Sequence, residues 1–219
     1  MAKYLNERQI GFDTNLIGFP NLGDCLAAVL QNAGGLFGFH IYGLGGRMDA
    51  EFATFIQTSV GFHGASSNLF GMCYWPKRYG GGGGETQWKA EMRALAQAIG
   101  YTGTISGFDT SNGTKIKTTD GTYVEFRLGG SSQCDVYYKR MSKVTVTDAP
   151  ATASPDIKLI RKDMAAMKAA GLTHDDAPIY MQARLPGMET TSVDIVATRS
   201  NRGEFHPIKP SSMVTFTHP

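Results

Sequence analysis

The stretch that most constrains this chain is residues 19–42, FPNLGDCLAAVLQNAGGLFGFHIY, in which two apolar runs flank Asn32-Ala33-Gly34-Gly35. The turn formers Pro20-Asn21-Leu22-Gly23-Asp24 force a change of direction just before Cys25, so that residue opens an element. The second run, 36–42, reads as a strand. Phe37, Phe39 and Ile41 alternate onto one face, and Leu36, Gly38, His40 and Tyr42 onto the other. His40 thus shares its face with a glycine that leaves room for something else.

Two structures fit the first run. LAAVLQ is rich in helix formers, Asp24 is a preferred N-cap and Gly34 or Gly35 could close the helix. Cys25 would then sit at a helix N-terminus, where the dipole favours a thiolate. Alternatively the run is a buried strand and Asn32-Ala33 is a hairpin turn. Pairing 31 with 34 then pairs 25 with 40, with Cβ atoms about 4.5–5.5 Å apart. A lone histidine near a strand end is most often satisfied by a main-chain carbonyl, and a free cysteine is most often a small buried hydrophobe. Only their juxtaposition points to nucleophilic catalysis.

Along the rest of the chain, residues 1–18 read as an edge strand or an extended lead-in without chemistry. Residues 52–75 read as β-rich, with His63 in a loop and Cys73 packed in a core. Gly80 to Gly84 read as a mobile loop. Residues 85–100 make the clearest helix, with Trp88, Met92, Leu95 and Ile99 at helical spacing and Gly100 as its stop. Strands follow at 101–108, 115–119, 122–128 and 134–146, with turns at Asn112-Gly113 and Asp120-Gly121. DAPATASPD, from Asp148, reads as a linker, and a second helix runs from Ser154 to Gly171. Strands near 192–198 and 213–217 end the chain. This order predicts an α+β fold, with a core over residues 1–147 and an annex over 148–219 packed on it.

Composition removes several function classes. With 21 basic and 19 acidic residues the net charge is +2, and no basic block marks a nucleic-acid surface. No apolar run approaches the ~18 residues needed to span a bilayer. The N-terminus lacks a signal-peptide core, so the expectation is cytoplasmic residence or leaderless export. Cys25, Cys73 and Cys134 form no CxxC and have no histidine at zinc-site spacing, so neither a metal nor another cofactor is expected. The odd count in a leaderless chain suggests reduced thiols.

At LGDC and GGLFGFH the sequence resembles the cysteine deamidase superfamily that includes the chemotaxis receptor glutamine deamidases and the catalytic domains of the cytotoxic necrotizing factors. There a cysteine follows a small-residue turn, and the histidine ends a short apolar strand; the fifteen-residue gap here looks like that of the necrotizing factors. NLFGMCYW, the glycine loop, the helix TQWKAEMRALAQAIGY and GFDTSNGTKIKTTDGTYVEFRL are similar in order to the chemotaxis pattern, so the likeness spans about residues 19–128. It departs at Phe19, where the chemotaxis enzymes carry a histidine-orienting threonine. In the necrotizing factors that oxygen is a main-chain carbonyl. The third catalytic group is therefore expected to be the Phe19 carbonyl or the Asn21 side chain.

The resemblance implies a layered α/β/β/α-type sandwich of mixed sheets with flanking helices, and a cysteine-dependent hydrolase acting on amide bonds. Cys25 would attack the side-chain amide of a glutamine in a protein substrate, His40 would manage the proton, main-chain N–H groups near Cys25 would hold the oxyanion, and an amine acceptor would give transglutamination. The Asp24 carboxylate would oppose a thiolate, so its side chain is expected to cap the backbone or face away. The favoured role is a bacterial effector or toxin delivered into a target cell. A cytoplasmic housekeeping deamidase, a peptidoglycan or small-molecule amidase, and a non-catalytic immunity or adaptor protein are the alternatives.

Overall fold

The computed structural model describes residues 3–5, 7–44, 48–59, 65–81, 84–111, 122–129, 133–140 and 206–219. The expected helix at 154–171, the strands at 115–119 and 192–198, both Asx-Gly turns, the linker and His63 lie outside them.

The fold is α+β. The strands are β1 (Lys3–Tyr4), β2 (Ile10–Asp13), β3 (Leu16–Leu22), β4 (Leu26–Asn32), β5 (Gly35–Ile41), β6 (Ser66–Cys73), β7 (Gly103–Asp109), β8 (Thr122–Leu128), β9 (Cys134–Arg140), β10 (His206–Pro207) and β11 (Val214–His218). The helices are α1 (Asp49–Thr58), α2 (Trp75–Tyr79) and α3 (Glu85–Ile99). One sheet has the order β1-β3-β8-β9-β10 and the other β11-β7-β6-β4-β5-β2. Pairs β1–β3 and β6–β7 are parallel and the rest antiparallel.

Alternation along β4 and β5 sorts side chains into two cores. Leu26, Ala28, Leu30, Phe37, Phe39 and Ile41 face the helices, where they meet Phe52 and Ile56 of α1 and share a core with Trp88, Met92 and Leu95 of α3. Cys25, Ala27, Val29 and Leu36 face the second sheet and pack with Ile17, Phe19, Val124 and Phe126. The described layers are therefore helix, sheet, sheet. Helix α3 ends as its sequence predicts, with Gly100 left-handed at φ 66° and its N–H returned to the last turn.

Several expectations change. The run after Cys25 is strand, Leu26–Asn32, and not helix, so Asp24 has no helix to cap and no helix dipole acts on Cys25. Asp49–Thr58 is helical, so the β-rich reading of 52–75 fails over its first seven residues: Phe52 and Ile56, four apart, fall on one buried face, a period masked by the surrounding Phe and Thr residues. Residues 75–79 form a short helix that starts at Trp75 with Pro76 in its first turn. The lead-in to residue 18 contributes strands to both sheets: β2 pairs with β5, and β1 lies along β3.

Candidate active site

The hairpin reading holds, with a corrected register. The turn is Ala33-Gly34, closing on the pair Asn32–Gly35, because Asn32 Oδ1 accepts hydrogen bonds from the N–H groups of Gly34 (2.8 Å) and Gly35 (3.0 Å). Asn32 is thereby the last residue of its strand and not the first of the turn. Moving the turn by one residue moves every pairing by two, so His40 faces Ala27 rather than Cys25. A slip of one residue would have flipped the face, whereas a slip of two preserves it. Cys25 and His40 thus lie on the same face as diagonal neighbours, at a Cβ spacing of about 7–8 Å or less.

Leu5, Arg8 and Gln9 hold His40. Its N–H donates to the Gln9 carbonyl (2.9 Å) and its carbonyl accepts from the Arg8 N–H (2.8 Å). Nδ1 lies 2.7 Å from the Leu5 carbonyl oxygen. A carbonyl only accepts, so Nδ1 carries the hydrogen and Nε2 is left with its lone pair. Nε2 is buried and has no hydrogen-bond partner. Burial lowers the imidazole to about 4, against the opposing effect of the Leu5 bond, so at neutral pH His40 is an uncharged base.

The oxygen that orients the imidazole is therefore that of Leu5, not of Phe19. Phe19 instead sets its ring edge against the imidazole, with centroids 5.8 Å apart at 69°. Asn21 lies on β3, and its side chain is outside the described residues. Gly38 makes the space for this arrangement: a Cβ there would meet Leu5 Cδ1 at 2.7 Å and Ile17 Cγ2 at 2.9 Å.

Cys25 is fully buried. Its Sγ donates to Glu7 Oε1 at 3.8 Å and makes no hydrogen bond with His40. Burial, then the Glu7 and Asp24 carboxylates, push the thiol well above its ordinary range, while the Arg78 guanidinium pulls the other way. Cys73 and Cys134 are also free, and burial raises both, Cys134 to about 12. Acidity thus does not single out Cys25; its place beside a neutral, anchored imidazole does. Glu7 reaches Sγ from a turn in which Arg8 is left-handed at φ 65° and lays its guanidinium over the Tyr42 ring, 5.4 Å from the centroid.

Behind the pair lies a buried ion pair that sequence reading missed. Arg78 of α2 meets Glu91 of α3 in a fork, Nε to Oε2 at 2.8 Å and Nη2 to Oε1 at 2.6 Å. No family model matches the sequence, and comparison with curated proteins finds no match. Among the described residues, no cluster of three or more His, Cys, Asp or Glu is placed to hold a metal, and no helix is long and apolar enough to cross a membrane.

Proposed function

We propose that the chain is a cysteine-dependent amide hydrolase that deamidates glutamine side chains of a protein, with Cys25 as nucleophile and His40 as general base. The observation that carries this reading is the state of His40, tautomerically fixed by the Leu5 carbonyl with an unpartnered, buried Nε2 on the face that holds Cys25. A purely structural histidine buried at this depth would be expected to pair both nitrogens.

Both groups are neutral at rest, which favours proton transfer coupled to attack over a standing thiolate–imidazolium pair. Nε2 takes the Sγ proton as sulfur bonds to the amide carbon. The C–N bond then breaks, and the imidazolium returns the proton to the leaving nitrogen as ammonia. Water, deprotonated by the same Nε2, then bonds to the thioester carbon; the C–S bond breaks, glutamate is released and the imidazolium returns the proton to Sγ. The side chain of Glu7, which is exposed at the other end, must leave Sγ before substrate enters.

The burial of Cys25 and its bond to Glu7 favour a second reading, a non-catalytic interaction module with a packed thiol. Ammonia release from benzyloxycarbonyl-glutaminyl-glycine and the mass of β-casein decide between them. Deamidation adds about one mass unit per site and breaks no peptide bond. The expected result is activity lost in folded Cys25→Ser and His40→Ala; equal activity in either variant, or none in the unsubstituted protein on these and on candidate target proteins, would sink the proposal.

A further inference from the structure

Arg78 is a fully used guanidinium. Its side chain is wholly buried, and each of its five N–H donors has a partner. Three are on or near the hairpin mouth: Nη1 donates to the Asp24 carbonyl at 2.5 Å and, more weakly, to that of Ile41 at 3.5 Å, and Nη2 donates to that of Gly43 at 2.7 Å. Asp24 immediately precedes Cys25, and Ile41 immediately follows His40. The remaining two donors hold Glu91, whose Oε2 also accepts from the Tyr79 hydroxyl at 2.7 Å.

The platform under this fork is itself fixed. The Trp75 N–H at the start of α2 donates to Asp109 Oδ1 at 3.1 Å, and the Trp75 ring stacks on Trp88 of α3 with centroids 5.5 Å apart. Cys25 lies just before the first ladder pair of β4 and β5, so the ladder alone does not hold it at a set distance from His40. A planar fork anchored at one end and bonded to both chain segments does.

We propose that Arg78 is the positioning residue of the site, fixing the spacing of Cys25 from His40 by bonding the carbonyl before the one and the carbonyls after the other. This rests on the Cys25–His40 reading above. Lysine keeps the charge but has three donors on a tetrahedral point, so it cannot reproduce the fork.

The test reads how strongly Cys25 reactivity depends on His40. Alkylation of Cys25 by iodoacetamide at pH 7 is followed by peptide mass spectrometry, with and without His40→Ala, in three backgrounds: unsubstituted, Arg78→Lys, and Arg78→Met with Glu91→Leu. The last removes both buried charges together and so preserves folding if the lysine variant does not fold. Taking a rate ratio within each background cancels changes in exposure. The ratio should be about tenfold or more in the unsubstituted protein and should collapse toward one in the folded Arg78 variants. An undiminished ratio there overturns the positioning role and leaves the dyad standing. A ratio of one in the unsubstituted protein overturns the dyad and this role with it.

Discussion

His40 donates its Nδ1 hydrogen to the main-chain carbonyl of Leu5 across 2.7 Å, and this bond joins the N-terminal segment to β5, the strand next to the β2 edge of the six-stranded sheet. Leu5 is held in turn by its N–H on the Gly18 carbonyl at 2.8 Å. The imidazole is thus oriented by backbone that is itself part of the strand pairing, and its state is set by burial.

The first consequence is a pH dependence of stability. His40 titrates near 4 when folded and near 6.5 when unfolded, so between those values the unfolded chain binds the extra proton. Its contribution is complete above pH 6.5 and is lost as pH falls toward 4, to a limit of about 3 kcal/mol. Urea denaturation at pH 7 and pH 4.5 should show that loss, and His40→Gln should flatten the slope in this window. An equal slope in the variant would assign the loss to other groups.

Gly38 tests the Leu5 bond from the other side. An alanine methyl would press on Leu5 Cδ1, Ile17 Cγ2 and Phe19 Cζ, all within 3.0 Å of it. Gly38→Ala should cost about 1–3 kcal/mol and shift the His40 imidazole nitrogen resonances as the Leu5 carbonyl moves. Adding Leu5→Ala should recover part of the stability, a non-additivity expected of neighbours. Strict additivity would place the strain elsewhere.

Strand β5, helix α3 and strands β8 and β11 were legible because periodicity and turn chemistry are local, whereas the first run of the hairpin fitted helix and strand equally, and the shared face of Cys25 and His40 followed only from the strand alternative. The partner of His40 was not legible, since it depends on whether Asn32 ends the strand or starts the turn, which only its side-chain bonds to Gly34 and Gly35 decide. Leu5, Glu7, Arg78 and Glu91 lie 18 to 66 positions from Cys25, and nothing in their local sequence announces them. The one available signal was an arginine at the end of WPKR followed, thirteen residues on, by a glutamate on the apolar stripe of a helix. A charge at a core position requires a partner.

Glu7 adds to what burial does to the resting thiol. After burial, its carboxylate is the largest influence raising Cys25. Glu7→Gln removes the charge and keeps the shape, so the thiol should become easier to ionise and Cys25 should be alkylated faster at neutral pH, with Cys73 and Cys134 unchanged. The rise should shrink with added salt, because Glu7 is exposed and screened. Faster labelling of all three thiols would indicate general loosening instead.

Buried ion pairs cost more to break than to delete whole, and Arg78–Glu91 makes that comparison measurable. The Glu91 side chain is 5% exposed and that of Arg78 0%. Glu91→Ala strands a guanidinium that has given two of its five hydrogen bonds to the lost carboxylate, and it leaves the Tyr79 hydroxyl without that acceptor. The expected loss is about 3–5 kcal/mol by urea denaturation. Arg78→Met with Glu91→Leu removes both charges of the pair and keeps apolar volume in their place, so it should lose less than Glu91→Ala alone. The carbonyls of Asp24 and Gly43 still lose their donor in that variant, which keeps it below the unsubstituted protein. A double variant less stable than Glu91→Ala would mean that the bonds to the hairpin mouth, and not the ion pair, carry most of the stability of α2.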